Sequence, residues 1–198
     1  MENLITLTVN STHFFLIDCQ GGKLLVDAGW ELAQFTGQMK SYQLPFSEIR
    51  YVMFTHHHPD HAGLVQNIKD LSGARLIIHE KQIPFLENLR AYFKKKGGYL
   101  PIRVEKNDLI SPSRAVLQSI GLRGEIIETP GHSDDSISLV LDSGSAFIGD
   151  LPAPDYVAPE NYSLVHASWH ALLSRGVQTF YHSHTPPIPA ERIRKLLS

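Results

Sequence analysis

The chain has 198 residues, 42% of them hydrophobic and 19% charged, with a formal net charge of −2. That is enough apolar material for a core and too little charge for a disordered chain, and the near-neutral balance argues against a nucleic-acid surface. A length of this order fits one domain, taken as residues 1–198.

The chain opens with β-structure. Leu4 to Val9, Thr12 to Cys19 and Lys23 to Asp27 are predicted strands, and Gln20-Gly21-Gly22 is the turn between the last two. Cys19, the one cysteine, excludes an internal disulfide and a cysteine-built zinc site. Its run HFFLIDC predicts a buried or half-buried thiol. Residues 31–44 read as a short helix and loop, and Ile49 to Thr55 (IRYVMFT) as a buried strand. Leu64, Val65, Ile68 and Leu71 have helical spacing, Arg75 to His79 reads as a strand, and Lys81 to Lys96 as a helix capped by Gly97-Gly98. Ser111-Pro112 predicts a helix start, with the helix running to Ile120. Strands at Glu125–Glu128, Ile137–Asp142 and Ala146–Gly149 follow. The chain ends with a helix over Tyr162–Ser174, a strand over Gln178–Tyr181 and a helix over Ala190–Leu197. This order predicts an α/β (α+β) layered domain, with sheets at the centre and helices outside. MENLITLTVN lacks a basic stretch followed by an apolar one, and no segment nears the ~18 apolar residues of a spanning helix. The expected setting is cytoplasmic, without membrane or nucleic-acid partners.

Histidine is concentrated in one place. Of 11 histidines, four fall in THHHPDHAG, at His56 to His61, directly after strand IRYVMFT. His132 follows EIIETP, Asp150 follows AFIG, and His184 follows QTFY. Four strands thus each end in a histidine or an aspartate. Loops at strand ends can converge on one edge of a rigid sheet. Imidazole and carboxylate together suit zinc, iron or manganese. Seven such groups exceed the four of a structural zinc and suit two metals sharing a carboxylate.

His56-x-His58-x-Asp60-His61, then TPGH at His132, GD at Asp150 and a late His184, resembles the metallo-β-lactamase fold superfamily from VDAG to HTPP. The resemblance implies an αββα sandwich of two mixed sheets, with helices on both outer faces and a site along one edge. It implies one metal on His56, His58 and His132, a second on Asp60, His61 and His184, and Asp150 bridging both. That is the ligand pattern of hydroxyacylglutathione hydrolase and its relatives, and not of the secreted β-lactamases, many of which use a cysteine. The implied cofactors are two divalent ions, zinc first, with iron or manganese as alternatives. Asp27 in VDAG is expected to orient the histidine loop, and His57 to face away from the metals. His182 is the rival to His184.

Outside this set, His13 and His79 are placed in strands, and His166 and His170 form a helical surface pair. Asp134 and Asp135 are read as loop and helix-cap carboxylates, with orientation of a ligand or substrate as the alternative for one of them. Lys94 to Lys96 read as a solvated helix end, and the segment Lys81–Pro101 is expected to lie over the site.

The resulting expectation is a metal-dependent hydrolase in which a hydroxide held by two metals attacks a small-molecule ester, lactone, thioester or phosphodiester, with Asp60 as proton acceptor. A glutathione thioester is disfavoured, because only about fourteen residues follow His184. An iron-dependent oxidoreductase of the same fold, like the persulfide dioxygenases, and a nuclease-type phosphodiesterase are the alternatives.

Overall fold

The computed structural model describes residues 3–94 and 99–198. Six strands form the first sheet in sequential order: β1 (Leu4–Val9), β2 (Thr12–Cys19), β3 (Gly22–Val26), β4 (Ile49–Met53), β5 (Arg75–Ile78) and β6 (Leu109–Ile110). Between them lie α1 (Leu32–Ser41), the single turn α2 (Pro59–Ala62), α3 (Val65–Ser72) and α4 (Leu86–Lys94). Then comes α5 (Arg114–Ser119). The second sheet has five strands: β7 (Gly124–Glu128), β8 (Ile137–Leu141), β9 (Ser145–Gly149), β10 (Thr179–His182) and β11 (Ile188–Pro189), in the order β11-β10-β9-β8-β7. Helices α6 (Tyr162–Leu173) and α7 (Ala190–Leu197) complete the chain.

Period-two alternation explains the layering. On β2, Phe14 and Leu16 join an outer core with Phe35 of α1 and Ile68 of α3, whereas Phe15 and Ile17 join an inner core. That inner core also takes Leu24 and Val26 of β3, Leu139 of β8 and Phe147 of β9, so it is the space between the sheets. On the far side, Ala146 and Ile148 of β9 and Phe180 of β10 pack on Val165 and Trp169 of α6 and Ile193 of α7. Both sheets are therefore covered on both faces, which is why their strands read as continuous apolar runs. The result is the expected αββα sandwich.

Several boundaries differ from the sequence reading. The expected helix at Lys81 begins as a 3-10 segment, Glu80–Phe85, which contains Pro84, and becomes α-helical only at Leu86. Proline lacks the N–H a continuous helix needs, so the segment divides there. Lys95, Lys96 and the expected cap Gly97-Gly98 lie outside the described residues. The cap of α5 is Ser113, whose side chain accepts from the Val116 N–H, and not Ser111. Ser111 has φ 42°, gives its N–H to Ile78 O, and accepts the Glu80 N–H on its hydroxyl. It closes β6 instead. His79 lies just past β5, where its ring accepts the Lys81 N–H and caps the 3-10 segment. Cys19 is half-buried, and burial together with the Asp18 charge pushes its thiol up to about 11. No helix among the described residues is long and apolar enough to cross a membrane.

Candidate metal centre

Strands β3, β4 and β5 run parallel, as do β9 and β10. Their C-terminal ends meet at one edge of the sandwich. After β4 the chain bends through Thr55 to His58. His58 precedes Pro59, which sits in the first turn of α2 with its fixed φ suited to that position. The short helix places Asp60 and His61 one turn above His56. The loop after β3 holds α2 in place: Ala28 N–H donates to His61 O, and Leu64 N–H to Gly29 O. From the other sheet come His132 in the β7–β8 loop, Asp150 directly after β9, and His184 just after β10.

The structure brings all seven predicted residues together. Asp150 Oδ2 lies 3.2 Å from His184 Nε2, 3.3 Å from His61 Nε2, 3.6 Å from His132 Nε2 and 4.0 Å from His56 Nε2. His58 Nδ1 is 3.0 Å from His132 Nε2. Asp60 Oδ2 is 3.3 Å from His184 Nε2 and 3.5 Å from His61 Nε2. Three groups have donor atoms all within 4.8 Å of one another: His56, His58 and His132; His56, His61 and Asp150; and Asp60, His61 and His184.

Three of the inner atoms are buried without a hydrogen bond: His56 Nε2, His61 Nε2 and Asp150 Oδ1. Buried polar groups normally have partners, and unpaired ones cost ~1–3 kcal/mol each. Four-coordinate zinc at about 2.0–2.1 Å from its ligands has ligand–ligand edges of roughly 3.4 Å. The separations here, 3.0 to 4.0 Å, bracket that value. The donor set, its spacing and its orphaned atoms fit divalent cations.

The outward nitrogens are held by the protein. His61 Nδ1 meets Asp27 Oδ2 at 2.9 Å, and His56 Nδ1 meets Thr55 Oγ1 at 3.1 Å. His184 Nδ1 donates to Ser11 O at 2.7 Å. Asp27 is fully buried and accepts from Thr55 N–H (2.7 Å) and from the Ser183 hydroxyl (3.1 Å). Such partners fix the tautomer and ring direction of a ligating histidine. His57 turns away, as expected, and gives its N–H and ring to Asp135 at 2.9 and 2.8 Å. Asp135 is fully buried and also accepts from Ser133, so it anchors the histidine loop: the orienting alternative holds for it in place of the loop or cap reading. Which residue it holds was not legible, because His57 lies 78 residues away.

The electrostatics follow from this crowding. Burial raises the Asp150 and Asp60 carboxyls, but the adjacent imidazoles of His184 and His61 outweigh it and hold both well below the usual carboxylate range. The nearness of Asp150 and Asp60 pushes His184 up to about 10. Burial alone would lower His61, yet the charge of Asp27 and the nearby Asp150 and Asp60 carboxylates raise it. His56, fully enclosed and next to His61, is lowered. Both carboxylates are thus ionised at neutral pH and draw positive charge to this point.

His13, His166 and His170 stay apart from the cluster, whereas the His182 ring lies 6.1 Å from that of His184 and its Nδ1 accepts the His184 N–H. His13 is in β2, bonded to Thr8. His166 packs on Tyr162 (ring centroids 3.8 Å) and bonds Pro154 O, while His170 is exposed. Among the described residues of the segment expected over the site, Phe85 lies 5.1 Å from the His57 ring and Tyr92 stacks on Trp30 at 6.4 Å. A cavity of about 260 Å³ opens beside Asp60, walled by Val9, Thr12, Phe14, Gly29 and Trp30.

An αββα sandwich carrying a part-buried His/Asp cluster at one edge defines a metal-binding type of site. The chain belongs to the metallo-β-lactamase superfamily, whose family model matches residues 7–185. A β-lactamase-like protein 2 homolog from Caenorhabditis elegans is 32% identical over 146 residues, 72% of this chain and 45% of that one. A probable polyketide biosynthesis zinc-dependent hydrolase from Bacillus subtilis is 27% identical over 128 residues, 64% of this chain and 48% of that one. The chain therefore spans about half the length of these relatives. A metallo-β-lactamase family protein from Thermus thermophilus superposes with a TM-score of 0.69 at 22% identity, over 99% of this chain and 78% of that one.

Proposed function

We propose that the chain is a metal-dependent hydrolase of small molecules and that residues 1–198 act as one catalytic domain. His56, His58 and His132 would hold one divalent cation, Asp60, His61 and His184 a second, and Asp150 would be shared between them. Zinc is the first choice, in keeping with the zinc-dependent hydrolase among the relatives. The observation that carries the reading is the position of Asp150 Oδ2, within 4.0 Å of four imidazole nitrogens that belong to both sets. When bound, such a pair of cations polarises a carbonyl or phosphoryl group and lowers the pKa of water toward neutrality. The protein itself orients the ligands through Asp27, Thr55 and Ser11, and encloses His56 and His61 away from water. Asp60 accepts the Thr12 hydroxyl at 3.2 Å and borders the open cavity, which makes it the carboxylate closest to a substrate there; its lowered pKa makes it a weak base, so its proton-accepting role is the lesser part of its work. Esters, lactones, thioesters and phosphodiesters are the substrate classes.

Metal analysis of the protein purified without added metal tests this. About two zinc ions per chain, with turnover of one of these substrate classes, is the expected result. About one iron ion per chain and no hydrolysis would favour oxidation of a sulfur substrate and overturn it. Two variants sharpen the ligand assignment. Asp150→Ala should keep its circular dichroism spectrum and lose nearly all turnover. His184→Ala should lose one metal, whereas His182→Ala should keep both. The opposite pattern would make His182 the seventh ligand.

A further inference from the structure

We infer that Ser168 and Trp169, neighbours on α6, are positioning residues for the metal centre: through two proline carbonyls they set where His132 and Asp150 stand. The inference deepens the metal-centre reading of the cluster and rests on it.

His61, His56 and His184 each turn their outward nitrogen to a partner elsewhere in the chain, namely Asp27, Thr55 and Ser11. Among the described residues His132 and Asp150 have no such partner. The His132 ring makes its polar contacts through Nε2, to His58 Nδ1 at 3.0 Å and Asp150 Oδ2 at 3.6 Å. Asp150 meets imidazoles of the cluster through Oδ2, and its Oδ1 is buried without a hydrogen bond. The places of both ligands therefore depend on the backbone of the loops that carry them.

One face of α6 holds both loops. The Ser168 hydroxyl donates to Pro130 O at 2.7 Å, just ahead of His132. The Trp169 indole N–H donates to Pro152 O at 2.8 Å, just past Asp150. Val165, on the same face, closes against Gly131, which has φ 145° and where a Cβ would sit 2.6 Å from Val165 Cγ2. Val165, Ser168, Trp169 and Leu172 are all buried, at the spacing of one helical stripe. Packing alone does not account for a serine in that stripe. Serine is a poor residue for a helix interior, and a buried hydroxyl costs free energy unless it is bonded. Trp169 packs edge-on against Phe180, a contact a phenylalanine could also make. Its N–H is the part that reaches the Asp150 loop. Both acceptors are prolines, whose fixed φ leaves each loop few conformations once its carbonyl is pinned. A single helix thus sets the spacing between two ligands that arrive from the five-stranded sheet, and a metal site is only as well defined as the supports behind its ligands.

Cobalt(II) is the probe, with its affinity read by competition with a chromogenic chelator and the melting temperature read on the same samples. Ser168→Ala should weaken one of the two cobalt ions about 10-fold, the low end of the range for a lost outer partner, and Ser168→Thr, which keeps the hydroxyl, should recover the loss. Trp169→Phe should weaken both ions about 10-fold, because Asp150 is shared. Leu172→Val trims the same buried stripe without touching either bond, so it should lower the melting temperature and keep wild-type cobalt affinity. In a His132→Ala background, Ser168→Ala should cause no further loss from the remaining site, since the ligand it positions is gone. Wild-type affinity in both Ser168→Ala and Trp169→Phe would overturn the inference. So would an equal loss in Leu172→Val, or a further loss in the His132→Ala background, since either would mark a general effect of stability. A wild type that binds no cobalt would sink the metal centre and these roles with it. Affinity needs no turnover, so a protein that binds cobalt and hydrolyses nothing would remove the hydrolase reading alone, and the variants would still decide the roles of Ser168 and Trp169.

Discussion

Asp27 shows how much one carboxylate does without facing the cluster. It takes hydrogen bonds from Thr55, His61 and Ser183, and so ties the loop after β3, the end of β4 and the loop after β10 to one point. The sequence placed it at the end of a strand, in VDAG. In the structure it stands one residue beyond β3 with φ 61°, a left-handed conformation that aspartate tolerates better than most residues. Asp27→Asn puts an amide N–H where one of these donors already points. A buried donor left unsatisfied costs ~1–3 kcal/mol, so the melting temperature should fall. His61 would also lose the partner that fixes its ring, and metal affinity should drop ~10–100-fold. Competition with a chromogenic chelator measures this. An Asp27→Asn protein with wild-type metal affinity would show that His61 is not oriented through Asp27.

The same contacts explain why elements, not single residues, set the site. Gly149, the last residue of β9, has φ 56°, and a Cβ there would sit 2.5 Å from Thr55 Oγ1. That close approach lets β9 deliver Asp150 against the end of β4. Gly149→Ala combines a disfavoured backbone conformation with displacement of Thr55, the residue that holds His56 Nδ1 and Asp27. A loss of roughly 1–3 kcal/mol is expected from the backbone alone, together with reduced metal content. Denaturant titration and metal analysis of the purified variant check both. A variant with normal stability would mean that the loop gives way without cost. The long strands and the helices with an apolar stripe were legible in the sequence because their residues are buried on regular periods. The two-residue strands β6 and β11 were not, since two residues carry no period. Nor was the break at Pro84 or the cap at Ser113, where competing local bonds decide between neighbouring residues. The four strand ends carrying the seven polar residues were legible as a set. The orienting role of Asp27 was legible through the family resemblance, whereas those of Ser11 and Asp135 were not, because they reach their histidines only through the fold.

At the scale of the whole molecule, the cluster is a seam between the two sheets. His56, His58, Asp60 and His61 come from the six-stranded side, and His132, Asp150 and His184 from the five-stranded side. Backbone bonds already stitch this edge: His13 N–H to Ser183 O at 2.7 Å, and Ile137 N–H to Thr55 O at 2.9 Å. Each proposed cation would take ligands from both sheets, so binding should stabilise the sandwich as a unit. A ligand that binds only the folded state adds about 4 kcal/mol when free metal is about 1,000 times its dissociation constant. For a chain of this size each kcal/mol moves the melting temperature by about 2–4 °C. Removing zinc with a chelator should therefore lower it by about 8–16 °C for each cation lost, and adding zinc back should restore it. Scanning calorimetry of the same preparation before chelation, after it, and after zinc is returned makes the measurement. His170→Ala, on the exposed face of α6, should leave the shift intact, whereas His132→Ala should shrink it by cutting one tie between the sheets. An unchanged melting temperature after complete metal removal would place the cations on one sheet alone or outside the fold, and the shared-ligand assignment of Asp150 would fail with it.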